Sequence, residues 1–258
     1  MVDSRIAAAT STMASPMEVS GAAFMLHPDT FEASGAAGYG HPFEGYFAGR
    51  AGVMGDVSTD VVAAAFYSFP REVVQLFWEP GKAVKGPAGG AAQYQKQIAE
   101  WGSKHLAGVQ GLDRYAELGE KIIAATPCAG LPVYAGWAAQ PRVSDPAGHA
   151  MQVLMVIREL RGSIHVAGLA TSGISPKEAH LLNNPGDCPN RPPAGTEYAG
   201  LFGWAEPWPD VSPLKAVRDE VEESTQKRMA HLIGAALTAD EAEEFATLNN
   251  AIYAKIVG

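Results

Sequence analysis

The stretch RYAELGEKII, Arg114 to Ile123, decides the fold class. Tyr115, Leu118 and Ile122 recur at spacings of three and four, with Glu117, Glu120 and Lys121 between them. On a strand, side chains at such spacings fall on opposite faces. On a helix of 3.6 residues per turn they form one apolar stripe. The same pattern recurs further along the chain. Leu214, Val217 and Val221 form a stripe beside a densely charged face, and Phe245, Leu248, Ile252 and Ile256 form another. No convincing alternating run and no Asn-Gly hairpin competes with these. The expected fold is all-α, with about eight to ten helices of ordinary length.

Helix starts can be read directly. Ser15-Pro16-Met17-Glu18 and Ser175-Pro176-Lys177-Glu178 each combine a cap, a proline at the first helical position and a glutamate that closes a capping box. Thr238-Ala239-Asp240-Glu241 is a third box, and Asp145-Pro146 and Ser212-Pro213 are simpler starts. The stretch AAQPRVSDPAG, residues 138–148, divides the chain into two helical blocks, 1–142 and 143–258. The stretch NNPGDCPNRPPAG, residues 183–195, carries four prolines and two glycines and is expected to be a loop.

Composition narrows the function classes. Apolar residues make up 47% of the 258, enough for a sizeable core. Nineteen basic against 28 acidic residues leave a net charge of -9, which opposes binding to nucleic acid or anionic membranes. The stretch from Ile122 to Pro141 is uncharged and long enough to span a bilayer. Its prolines, glycines and alanines favour a buried helix and turn instead. The first residues lack an apolar run behind a basic start, so no signal peptide is expected. Cys128 and Cys188 are isolated, as reduced cytoplasmic thiols would be.

The polar residues of interest begin in HPFEGYFAGRAG, His41 to Gly52. This is no phosphate loop, because the spacing is wrong and no Lys-Ser/Thr follows. Gly45, Ala48, Gly49 and Gly52 make a smooth face for a second helix, while Tyr46 and Arg50 share another face. Arg50 has two readings. It is a buried partner of a carboxylate, Glu44 or one from elsewhere, or it clamps an anionic ligand through its paired donors. Arg158, Arg161 and His165 form a second cluster, on one stripe if the helix runs through Gly162. Arg158 and its neighbour Glu159 should not face each other, so the partner of this cluster must come from elsewhere. His41 and Trp204 are further candidates for a pocket wall.

No HExxH, no His pair at i and i+4 and no Cys-His cluster appears, so no metal ligand is assigned. No nucleophile–base order stands out, so no catalytic residue, reaction or cofactor is named.

Several segments, GYFAGRAG (45–52), VVAAAFYSFPREVV (61–74), VIRELRGSIHVAGLATSGIS (156–175), FGW (202–204) and RDEVEESTQKRM (218–229), resemble in their order an actinobacterial family of helical proteins. That family is identified as helix-turn-helix or winged-helix-like. The family has no settled activity, so the resemblance implies a fold, with a degenerate unit of this kind in the C-terminal block, more than a function; a DNA-binding regulator is the rival reading it raises. The residues depart from a DNA-reading pattern. A helix-turn-helix uses a turn of about three or four residues, whereas here a thirteen-residue loop separates Pro176–Leu182 from Thr196–Trp204. TEYAGLFGW contains no Lys or Arg to meet bases or phosphates.

The residues therefore favour a small, partly apolar and anionic ligand, bound between the two blocks by Arg50, Tyr46, His41, Arg158, Arg161, His165 and Trp204. A winged-helix DNA-binding regulator and a haem- or metal-binding protein or enzyme stand as alternatives. A cytoplasmic protein with no membrane partner is expected, and nucleic acid is not the favoured partner.

Overall fold

A computed structural model describes residues 2–183, 188–189 and 194–258. Among these there is no strand. Twelve α-helices follow one another: α1 Ser4–Met25, α2 Pro28–Ala36, α3 Pro42–Gly52, α4 Thr59–Phe66, α5 Arg71–His105, α6 Leu112–Ala125, α7 Pro132–Ala138, α8 Pro146–Ser172, α9 Pro176–Leu182, α10 Thr196–Leu201, α11 Lys215–Ala236 and α12 Ala239–Val257. The protein is all-α. The count exceeds the expected eight to ten because α2, α4, α7, α9 and α10 span only six to nine residues. Helices that short are too brief to show a period. Much of the 183–195 loop, namely 184–187 and 190–193, lies outside the described residues.

Most of the start signals operate as expected. Ser175 and Thr238 form complete capping boxes with Glu178 and Glu241, and Asp145 accepts the amide of Gly148. Ser212-Pro213 opens a 3₁₀ turn, Ser212–Leu214, that leads into α11. Ser15-Pro16 is the exception. Pro16 lies inside α1, whose buried stripe Ile6, Ala9, Met13 and Met17 continues through it in register. Packing of that stripe outweighs one lost backbone bond.

The centre of the molecule is α8. Met151, Leu154, Met155, Val156, Ile157 and Leu160 are all fully buried, on every side of the helix. α8 packs against α1, α4, α5, α6, α7 and α11. A helical stretch apolar on nearly every side must be surrounded, and residues 151–157 are. One main core cluster takes residues from both sides of residue 142, from Ile6 to Ile252.

The small-residue face of α3 meets α5. A Cβ on Gly49 would come within 2.4 Å of the Tyr94 ring, and one on Gly52 within 2.3 Å of the Pro87 carbonyl oxygen. The fit is reciprocal, since a Cβ on Gly81 or Gly90 of α5 would strike the carbonyl oxygens of Glu44 or Ala48. α5 itself is broken at Gly86 (φ 68°, ψ 164°), ahead of Pro87. A left-handed glycine followed by proline restarts the helix there. Tyr115 stacks on Phe245 at 4.6 Å and joins α6 to α12.

Candidate functional site

A cavity of about 530 Å³ opens between α1, α3, the end of α4, α8, α9, α10 and α11. Its lining is partly aromatic and includes Phe43, Phe66, Phe69, Tyr198 and Phe202. It also includes a charged wall, with Arg158, Arg161 and His165 from α8, Glu18 from α1, and Arg218 and Glu222 from α11. α8 does continue through Gly162, so the i, i+3, i+7 stripe forms as its spacing predicts.

Arg50 and Tyr46 also line the cavity, at its edge. Arg50 donates from Nε to Glu159 Oε1 at 2.8 Å, from Nη2 to Glu159 Oε2 at 2.9 Å, and from Nη1 to the Tyr46 hydroxyl at 2.8 Å. Its guanidinium lies 4.3 Å from the centre of the Phe66 ring. Burial opposes the charge on Arg50, yet the paired carboxylate outweighs it and raises the guanidinium above its ordinary value. The carboxylate partner is Glu159, only 1% exposed, and not Glu44. Glu44 accepts the amide of Gly40 instead.

Glu159 also reaches the guanidinium of the adjacent Arg158, at 3.4 Å. Adjacent positions on a helix point apart, yet the length of these two side chains lets their ends meet. Arg158 makes a second pair with Glu18 at 3.1 Å. Arg161 pairs with Glu18 at 3.4 Å and with Glu222 more closely. Glu222 further accepts from Arg218 at 3.3 Å and from Gln226 at 2.9 Å.

Among the described residues, four guanidinium groups (Arg50, Arg158, Arg161 and Arg218) thus meet three carboxylates (Glu18, Glu159 and Glu222), one positive charge more than negative. His165 senses it. Burial, and then Arg218 and Arg161, push its imidazole down to about 4, so it is neutral at physiological pH. Its Nδ1 lies 3.2 Å from the Thr225 hydroxyl.

Two expected wall residues lie elsewhere. His41 is exposed, caps α3 by accepting the Phe43 amide at 3.1 Å, and stacks on Phe77. Trp204 donates to the Ser68 carbonyl at 3.1 Å and does not line the cavity. Both carry a local structural job that a His-Pro start and a lone tryptophan do not reveal. Glu18 is visible in the sequence only as a capping glutamate and Glu159 only as the neighbour of Arg158, while Arg218 and Glu222 sit in charge-rich helical text.

α9 and α10 contribute to the cavity as a pair, with His180 stacked on Tyr198 at 4.9 Å. Compared with known proteins, the chain matches the Helix-turn-helix family over residues 10–258. The chain belongs to the helix-turn-helix family. No curated protein and no solved structure gives a significant match. In this helix-turn-helix protein, no strand among the described residues forms a β wing beside α9 and α10. Lys177, the basic residue of α9, is tied to the Ala205 and Pro207 carbonyls. No described helix is long and apolar enough to cross a membrane.

Proposed function

We propose that this helix-turn-helix protein binds a small, partly apolar anion in the cavity between its N-terminal and C-terminal helices. The supporting observation is the mixed lining of the cavity. Aromatic rings line it together with an arginine cluster that, among the described residues, outnumbers its carboxylate partners. A cavity of this volume is in the range that encloses a drug-sized molecule. Arg158, Arg161 and Arg218 would hold the anion. Arg50 and Tyr46, already engaged with Glu159 and each other, would fix the position of the charged wall.

Gly162 provides a test that leaves every charge in place. It lines the cavity, and a Cβ there would meet nothing within 4 Å. Gly162→Leu should therefore fill the cavity without straining the helix. The aromatic sulfonate anilinonaphthalene sulfonate is a suitable probe. Wild-type protein should bind it saturably at one per chain, and Gly162→Leu should lose that binding with its melting temperature kept. Equal binding by the two proteins would overturn the proposal. Native mass spectrometry of protein from its own host would then identify the natural occupant.

The family match favours a second reading, in which the protein contacts DNA and the cavity holds an effector. Fluorescence anisotropy of a labelled duplex tests it. Saturable binding that weakens as salt is added would support it, because phosphate contacts release counterions. No binding at low salt would rule it out.

A further inference from the structure

A second polar cluster lies outside the cavity, at the elbow between α1 and α2. His27, Asp29 and His105 converge there, Asp29 and His105 from 76 residues apart in sequence, and their donor atoms all lie within 4.8 Å of one another. His105 Nε2 is 2.9 Å from Asp29 Oδ2, and His27 Nδ1 is 3.7 Å from the same oxygen. A tetrahedral ion with ligand bonds near 2.0–2.1 Å holds its donors about 3.3 Å apart. The two separations from Asp29 bracket that value, so small shifts of these two pairs would bring them to it.

We propose that His27, Asp29 and His105 form a binding site for a divalent first-row transition-metal ion, with zinc as the reference case. Two imidazole nitrogens and one carboxylate oxygen suit such ions better than magnesium or calcium, which prefer oxygen alone. All three side chains are only partly buried, between 25% and 32% exposed, so solvent can supply a fourth ligand. The rings are already positioned. His27 and His105 meet edge to face at 4.6 Å, and His105 stacks on Trp101 at 4.3 Å. His105 ends α5 and His27 caps α2, so helix packing places both.

Two existing contacts compete with the ion. Lys104 Nζ is 2.6 Å from Asp29 Oδ2, but the lysine is 66% exposed and its stem can swing away. His27 Nδ1 accepts the Asp29 amide at 3.1 Å, a cap bond that binding through this nitrogen would give up.

The lysine makes the proposal testable in both directions. Untagged full-length protein, cleared of metal with a chelator, is titrated with zinc by calorimetry. Wild type should take one ion per chain. His105→Gln and Asp29→Asn should each weaken binding at least tenfold, whereas Lys104→Gln should tighten it several-fold by freeing Asp29. Zinc should raise the melting temperature of wild type and leave that of His105→Gln unchanged. Absence of saturable zinc binding by wild type, or equal binding by His105→Gln and Lys104→Gln, would overturn the proposal. Should Asp29→Asn fail to fold, the other two variants decide, because neither residue is buried.

Discussion

Glu159 is the residue on which the charged wall depends. It is almost completely buried, grips Arg50 with both oxygens and also meets Arg158. Arg50→Lys keeps the charge but loses the planar fork, and is expected to lower stability by about 1–3 kcal/mol. Glu159→Gln should cost more, about 3–5 kcal/mol, since it leaves two close guanidiniums without their shared counter-charge. Denaturant melts of both variants check the order, and an unchanged melt for Glu159→Gln would contradict it. His165 gives a pH signature. Its imidazole titrates near 6.5 when unfolded and about 4 when folded. Between those values the unfolded chain binds the extra proton, so stability is full above about pH 6.5 and falls as the pH drops toward 4. Melts from pH 7 to 4 should show this fall, and His165→Gln should flatten it.

At the scale of elements, the contrast between two glycines tests the packing of α3 on α5. Gly52→Ala would drive a methyl into the Pro87 carbonyl, a backbone atom that cannot turn aside. It should destabilise by about 1–3 kcal/mol. Gly162→Ala, in the middle of α8 with open space before it, should stabilise by roughly 0.5–1 kcal/mol. Thermal melts that moved the same way for both would refute the packing argument. The small-residue face of α3 was legible because spacings of three and four are local. Its partner was not, because nothing in the text of 71–105 ties Tyr94 or Pro87 to that face. The same limit applies to the site. The Arg158–Arg161–His165 stripe follows from one helix and could be read, whereas the choice of Glu159 over Glu44 for Arg50 depends on tertiary packing that brings Glu159 of α8 to α3. Pro16 misled for a related reason, as a cap signal is local while the register of α1 is set by its distant partners. His41 and Trp204 looked available for a pocket because their partners, the Phe43 amide and the Ser68 carbonyl, are backbone groups that every residue offers.

At the scale of the whole molecule, the division near residue 142 describes where the cavity lies but does not divide the core. α8 follows that division in sequence, yet it is packed against α5, α6 and α7 from before it. At the other end, α1 packs against α12, so the first and last helices support each other. Ion pairs from Arg5 to Asp240 and Glu243 bridge the same two helices, and Lys121 of α6 pairs with Glu241 of α12. The energetic weight falls on α8. Its six large buried side chains, Met151, Leu154, Met155, Val156, Ile157 and Leu160, are each worth roughly 1.5–3 kcal/mol of burial. Their sum, roughly 9–18 kcal/mol, is as large as the net stability of a typical domain, about 5–15 kcal/mol. Neither side of residue 142 can give up that burial and stay folded. Scanning calorimetry should therefore show one cooperative transition, with calorimetric and van't Hoff enthalpies in agreement. A fragment of residues 1–142 should lack a melting transition, because it has lost the helix that its core surrounds. Two resolved transitions in the full chain, or a cooperatively melting 1–142 fragment, would show instead that the blocks are independent and that the cavity lies at an interface able to open.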